Sequence, residues 1–242
     1  MYTFDSRIRY SEINHYKGIM DPSSIINYFQ DCSTFQSEDL KLGLAYLEKR
    51  KRVWFLLSWN LQIFNQLSLG DYVTVGTWPY AFKGFYGYRN FIMKDKSEKV
   101  ISVADSIWVY MDTESNCPIK VVEDNGGYVL EPAYPMEHKN RKIEIPMNLD
   151  TYPSYPVIKN NIDSYNHVNN GQYIKMAEEF LPDDFMVSNM RVEYKNQALL
   201  GDIIFPRMYH INNKYLVSLE SKEGKPYAVV EFDGYRRDNV NI

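Results

Sequence analysis

Asp163 and His167 stand four residues apart in the stretch Asp163-Ser164-Tyr165-Asn166-His167-Val168-Asn169-Asn170-Gly171-Gln172-Tyr173. The stretch leads into a helical pattern that begins near Gly171. A histidine at such a point can position or deprotonate water. A nearby aspartate can orient the imidazole or act as the base itself. Unpaired amides at a helix N-terminus can stabilise a developing oxyanion. Water attack on a thioester needs these parts. Read blandly, Asp163 and Asn170 are turn and cap residues and His167 is a surface loop residue. The first half of the chain leans towards the functional reading. Its matching turn, Lys17-Gly18-Ile19-Met20-Asp21, has no histidine before the helix, whereas a purely structural need should apply to both copies.

The match between halves rests on an internal repeat. Asn65-Gln66-Leu67-Ser68-Leu69-Gly70-Asp71 returns 131 residues later as Asn196-Gln197-Ala198-Leu199-Leu200-Gly201-Asp202. Around each copy the elements follow one order: a helix, a strand leading in, and three strand-like runs after it. The first helix is expected from about Pro22 to Leu40, with Asp21 as N-cap and Pro22 at its first position. Ile25, Phe29, Cys32 and Phe35 fall on one face of it. Strands are expected at about Trp54–Phe64, Tyr72–Tyr80, Phe85–Met93 and Val100–Met111, with a hairpin turn at Asp95-Lys96-Ser97. The second helix is expected from about Gly171 to Leu181, capped by Asn169 or Asn170 and stopped by Pro182. Tyr173, Met176, Ala177 and Phe180 form its apolar face. Strands follow at about Met190–Lys195, Asp202–His210, Tyr215–Ser221 and Tyr227–Tyr235. Asp71 and Asp202 are expected to be turn residues.

The whole reads as α+β, with two tandem hot-dog domains. Each is a long helix wrapped by a curved antiparallel sheet, and the two pack as a pseudo-dimer. The expected partition is 1–120 for the N-terminal domain, 121–155 for a linker and 156–242 for the C-terminal domain. The stretch from Pro118 to Pro156 holds six of the 11 prolines, which favours a linker with some extended structure.

Composition narrows the classes. Among 242 residues, 45% are hydrophobic, 24% charged and 15% aromatic, with 21 Tyr. That is a folded chain rich in residues suited to strands. No signal or transit peptide is visible, and Val53 to Leu61 is too short and too broken to span a membrane. A cytoplasmic location without membrane attachment is therefore expected. The net charge of −4 argues against nucleic-acid binding. Cys32, Cys117 and the scattered His15, His138, His167 and His210 show no metal-ligand spacing, so neither metal nor cofactor is expected. Cys32 reads as a core residue, and Cys117 precedes Pro118 in a loop. Lys49-Arg50-Lys51-Arg52 is the one strong basic run. It is either a solvated loop before a strand or a dock for an acidic partner.

The chain resembles the acyl–acyl carrier protein thioesterases of plants and bacteria over nearly its whole length. His167-Val168-Asn169-Asn170 followed by Tyr173-Ile174 is similar to that family's central motif. Arg9-Tyr10-Ser11-Glu12, Trp54 through Trp59, Leu69-Gly70-Asp71 with Thr77-Trp78, and Ala104-Asp105-Ser106-Ile107-Trp108-Val109 with Met111-Asp112 match in order and spacing. The resemblance implies hydrolysis of a fatty acyl thioester held on acyl carrier protein. It implies a catalytic second domain, with Asp163 and His167 as catalytic residues, and a first domain that shapes the acyl pocket. Tyr165, Asn169, Asn170 and Gly171, beside the pair, are then expected to bind substrate.

Two positions depart from the plant pattern. Tyr165 stands where plant members have Asn, and Gln197-Ala198 where they have an acidic residue and Cys. An Asn-His-Cys mechanism therefore cannot operate here. Gln197 can hydrogen-bond a water but cannot take its proton. The competing functions are an acyl-CoA thioesterase, a hot-dog dehydratase and a non-catalytic acyl-binding protein. Acyl chain length stays open, as does the choice between monomer and homodimer.

Overall fold

The computed structural model describes residues 1–121, 127–137, 140–163 and 165–237. His138 and Ser164 lie outside the described residues. Twelve strands and three α-helices follow the order β1 (Tyr2–Arg7), α1 (Pro22–Asp39), α2 (Leu44–Lys49), β2 (Arg52–Ile63), β3 (Tyr72–Lys83), β4 (Tyr86–Asp95), β5 (Val100–Asp112) and β6 (Cys117–Pro118). They continue with β7 (Asp150–Thr151), β8 (Tyr155–Pro156), α3 (Asn170–Glu178), β9 (Phe185–Tyr194), β10 (Ile203–Ile211), β11 (Lys214–Glu220) and β12 (Pro226–Arg236).

All strands join one antiparallel sheet in the order β1-β3-β4-β5-β2-β9-β12-β11-β10-β7, with β6 on β5 and β8 on β10. The repeat is plain in this order. β1, α1 and β2–β5 of the first half answer to β8, α3 and β9–β12 of the second. The halves meet where β2 pairs β9, from Ser58↔Glu193 to Gln62↔Asn189. The Leu-Gly-Asp turns repeat bond for bond. Asp71 Oδ2 accepts the Ser68 amide at 2.8 Å, and Asp202 Oδ2 accepts the Leu199 amide at 2.9 Å. Gly70 and Gly201 sit at φ +87° and +89°, a left-handed conformation that glycine adopts without a Cβ clash.

The sheet curls around the helices because its strands carry irregularities that bend them. Register shifts occur at Leu56/Ser58 in β2, Pro79/Ala81 in β3 and Asp233/Gly234 in β12. Pro79 is tolerated inside β3 at such a break, where no ladder donor is required. Gly234 is required at its own break, since a Cβ there would lie 2.1 Å from the Met186 carbonyl oxygen.

One core runs through both halves, with Ile26, Phe29, Ile174 and Ala177 of the helices against Trp59, Met190 and Phe232 of the sheet, all essentially buried. Cys32 belongs to it, and burial pushes its thiol up to about 12. The opposite face of the sheet is covered by the connection between the halves. Met136 packs with Trp78, Ile92 and Val103, and Ile143 with Leu216 and Val229. The connection is thus a strap over the sheet.

Several details differ from expectation, among them β9, which begins at Phe185 ahead of the expected Met190. Phe35 is 44% exposed, because it sits beyond the core and packs edge-on against Phe4. Asp21 stands at the N-cap of α1 but accepts no capping amide; its carboxylate takes both bonds from the Asn14 side-chain amide instead. α3 ends at Glu178, ahead of the expected Leu181, which closes a following turn onto the Glu178 carbonyl. α2 was not expected; it is six residues long and none of them is buried.

Candidate active site

The loop before α3 folds by hydrogen bonds of its own. The Asp163 amide donates to the His167 carbonyl at 2.8 Å, and Asn166 takes a left-handed conformation at φ +62°. Asp163 Oδ1 accepts the Tyr165 amide at 2.8 Å and the His167 amide at 3.3 Å, an Asx turn. Its Oδ2 has no hydrogen-bond partner among the described residues. His167 is held on its other side by a bridge to Leu199, directly after Gln197-Ala198. Two loops distant in sequence are so brought together by backbone pairing.

Asp163, Tyr165, His167, Asn170 and Gln197 line one cavity of about 560 Å³. Asn169 and Gly171 do not line it. The Asn169 side chain caps α3, accepting the Gly171 amide at 2.8 Å. Gly171 lies against α1, where a Cβ would come within 2.5 Å of Asn27 Oδ1. The helix end is therefore partly satisfied within the chain. The Asn170 amide is the first-turn donor with no acceptor among the described residues.

Much of the cavity wall comes from the first half. Leu44, Leu47, Trp54, Phe55, Leu56, Phe82, Trp108 and Val109 supply apolar surface. The Phe55 ring stands edge-on to the His167 ring, with centroids 6.3 Å apart. The wall also has a polar stretch. Gln30, Ser33, Thr34 and Ser37 follow one another on a face of α1, near Arg89, whose guanidinium donates to Gln36 Oε1 and Thr77 Oγ1.

Tyr173 and Tyr194 were not expected as site residues. Tyr173 reads as an apolar-face residue, and its hydroxyl accepts the Ala198 amide at 2.9 Å behind Gln197. The Tyr194 hydroxyl donates to the Asn170 carbonyl at 2.9 Å. Burial raises both phenols well above the usual tyrosine range, so both stay protonated. Burial, with the nearby Asp163 and Glu48 charges, also raises Tyr165.

The first half has no equivalent of this site. Ile19 pairs with Ser68 where His167 pairs with Leu199. The loop before α1 does contain a histidine, His15, but it is exposed, with its ring tilted against that of Tyr16 at a centroid distance of 3.8 Å. Cys117 is exposed on β6, and Cys32 lies in the core; neither lines the cavity. Among the described residues no cluster of His, Cys, Asp or Glu could hold a metal ion. No helix among them is long and apolar enough to cross a membrane.

The arrangement has relatives. The fold is shared with an acyl-ACP thioesterase from Bacteroides thetaiotaomicron, at a TM-score of 0.87 and 18% identity over 96% of this chain and 97% of that one. It is shared too with the 12:0-ACP thioesterase from Umbellularia californica, at a TM-score of 0.85 and 16% identity over 98% of each. In sequence, the chain is 25% identical to the chloroplastic oleoyl-acyl carrier protein thioesterase 1 of Arabidopsis thaliana, over 65% of this chain and 48% of the relative. It is 25% identical to the chloroplastic dodecanoyl-[acyl-carrier-protein] hydrolase of Cinnamomum camphora, over 75% of this chain and 52% of the relative. The chain thus spans about half the length of the curated relatives it matches. The model of the acyl-ACP thioesterase N-terminal domain matches residues 1–126, and that of the C-terminal domain matches residues 146–230. With both domain models found in order over most of its length, the chain belongs to the acyl-ACP thioesterase family.

Proposed function

We propose that this protein hydrolyses fatty acyl thioesters of acyl carrier protein to free fatty acid and carrier protein. One observation carries the reading: Asp163, His167 and Gln197 of the second half share a cavity with a largely apolar wall supplied by the first. A thioester held there has its carbonyl near the start of α3 and its acyl chain against Leu56, Phe82 and Trp108. The Asp163–His167 pair takes the proton of a water positioned by Gln197. The water oxygen attacks the carbonyl carbon, and the Asn170 amide receives the developing oxyanion. Collapse breaks the carbon–sulfur bond, and the thiol leaves with the proton. Tyr165 and the side chain of Asn170 contact the substrate.

The same reading places the carrier protein at α2. Leu44 and Leu47 line the cavity, Leu44 is 48% exposed, and the basic run follows at once. Lys49, Arg50 and Lys51 are exposed, with the Arg50 guanidinium 4.7 Å from the Tyr46 ring centre. Arg52 is paired with Asp112, which leaves three cations to face an acidic partner. The partition 1–120, 121–155 and 156–242 and a cytoplasmic location belong to this proposal.

The test offers carrier-protein and CoA thioesters of varied chain length and measures free acid by mass spectrometry. Release from carrier-protein substrates is expected. Release from CoA substrates alone would overturn the carrier assignment, and no release from any would overturn the reading.

A further inference from the structure

The two halves place α1 and α3 side by side, each with a polar residue nine positions beyond its N-cap. From Asp21 that residue is Gln30, and from Asn169 it is Glu178. Glu178 reaches across to the first turn of α1. Its Oε1 accepts the Ser23 amide at 2.7 Å, and its Oε2 is bonded to the Ser23 hydroxyl at 2.6 Å. By the repeat Gln30 answers to Glu178, and it lines the same cavity as Asn170, the first residue of α3.

There the partner is missing. Gly171 takes the place of Ser23, two residues past the cap, so no hydroxyl is offered. The Gly171 amide is already bonded to Asn169. Gln30 Oε1 is consequently buried with no hydrogen-bond partner. A buried orphan acceptor is uncommon and costs stability. Yet Gln30 lines the cavity that holds Asp163, His167 and Asn170. The other end of the side chain is an NH₂, which carries two donors.

We propose that Gln30 is a catalytic residue contributed by the first repeat. Its Nε2 donates to the thioester carbonyl oxygen and, with the Asn170 amide, holds the oxyanion. This rests on the thioesterase reading. As water adds to the carbonyl carbon, the carbonyl π pair moves onto the oxygen facing Gln30. When the carbon–sulfur bond breaks, that pair returns to re-form C=O. Sulfur departs with the bonding electrons and receives the proton held by the Asp163–His167 pair. Gln30 exchanges no proton. Its donor hydrogen bonds strengthen as negative charge grows, so they act on kcat more than on KM.

The test compares Gln30→Met and Glu178→Gln with wild type in carrier-thioester hydrolysis and thermal melting. Gln30→Met is close in volume and removes both the donor and the orphan acceptor. Its kcat is expected to fall about 10²–10³-fold, the cost of losing an oxyanion donor, with KM within about threefold and Tm no lower than wild type. Glu178→Gln changes the corresponding residue of the other repeat and is expected to keep kcat. Wild-type kcat in folded Gln30→Met would overturn the proposal, as would a fall in kcat matched by an equal rise in KM. If wild-type protein hydrolyses no thioester, the functional reading fails and the inference falls with it. If wild type is active and Gln30→Met equally so, the inference alone fails.

Discussion

Asn14 in the first repeat does for its loop what Asp163 does in the second. Asn14 Oδ1 accepts the amides of Tyr16 and Lys17 at 3.0 and 3.1 Å, as Asp163 Oδ1 accepts those of Tyr165 and His167. The amide of each donates onward, to Ile19 and to His167, both at 2.8 Å. The turn therefore requires a side-chain oxygen but not a charge. The carboxylate of Asp163 exceeds what its fold needs.

Asp163→Asn separates the two roles. The neutral oxygen should keep the turn, so Tm should stay within a few degrees of wild type. If the charge serves the chemistry, kcat should fall on the order of 10²–10⁴-fold, the usual worth of a general base. Steady-state kinetics and a melting curve read both. Full activity in the Asn variant would assign Asp163 to the turn alone.

Gln197 and Gln66 hold the same place in the repeat but face different surroundings. Gln197 lines the cavity with His167, whereas Gln66 lines a separate surface groove beside the Asp95–Lys99 hairpin. Gln197→Ala should lower kcat at least tenfold with KM largely unchanged, and Gln66→Ala should leave kcat alone. Equal losses of Tm with kcat preserved in both would show that the pair serves only the turn.

Charge reversal at Lys49 and Lys51 tests the carrier dock. Both side chains are exposed, Lys49 at the last position of α2 and Lys51 just beyond it. The double variant Lys49→Glu, Lys51→Glu should lower kcat/KM for carrier-protein substrates several-fold at low salt. The deficit should shrink as salt screens the exposed charges. A small acyl thioester should be hydrolysed as by wild type. Parallel losses on both substrates would place the defect in folding.

Glu178 gives stability a pH dependence. Burial, helped by the Asp21 carboxylate, lifts it from 4.5 to about 8, against the opposing hydrogen bonds from Ser23. Between those values the native state keeps the proton that the unfolded chain has released. The native state binds more protons, so stability falls as pH rises through that window. Wild-type Tm should therefore drop between pH 5 and 8, and Glu178→Gln should flatten that slope. Identical slopes for the two proteins would remove Glu178 as its source.

Helical spacing of a buried face disclosed α1, and strand-suited apolar runs disclosed the long strands. β5 was legible in Val100-Ile101-Ser102-Val103 and α1 in Ile25, Phe29 and Cys32. The six-residue α2 buries nothing, so no pattern announced it. Asp163, His167 and Gln197 stood out as residue types, and only the sheet shows that they share a cavity with Phe55 and Gln30. Tyr173 looked like helix packing because its spacing is apolar; its hydroxyl bond to Ala198 spans 25 residues and leaves no local trace. Gln30 was hidden for a stronger reason, since its meaning depends on what is missing opposite it at Gly171.

The seam between β2 and β9 has a consequence for stoichiometry. A dimer of identical subunits must carry two of every site, and a substitution in one copy appears in both. Here the two halves lie in one polypeptide, so Ile19 can stand where its counterpart is His167, and Glu178 where its counterpart is Gln30. The two halves are then free to present different side chains at corresponding places, as identical subunits cannot. A tight, non-hydrolysable acyl thioether should accordingly titrate one equivalent per chain, at an end point half that of a symmetric dimer counted per hot-dog domain.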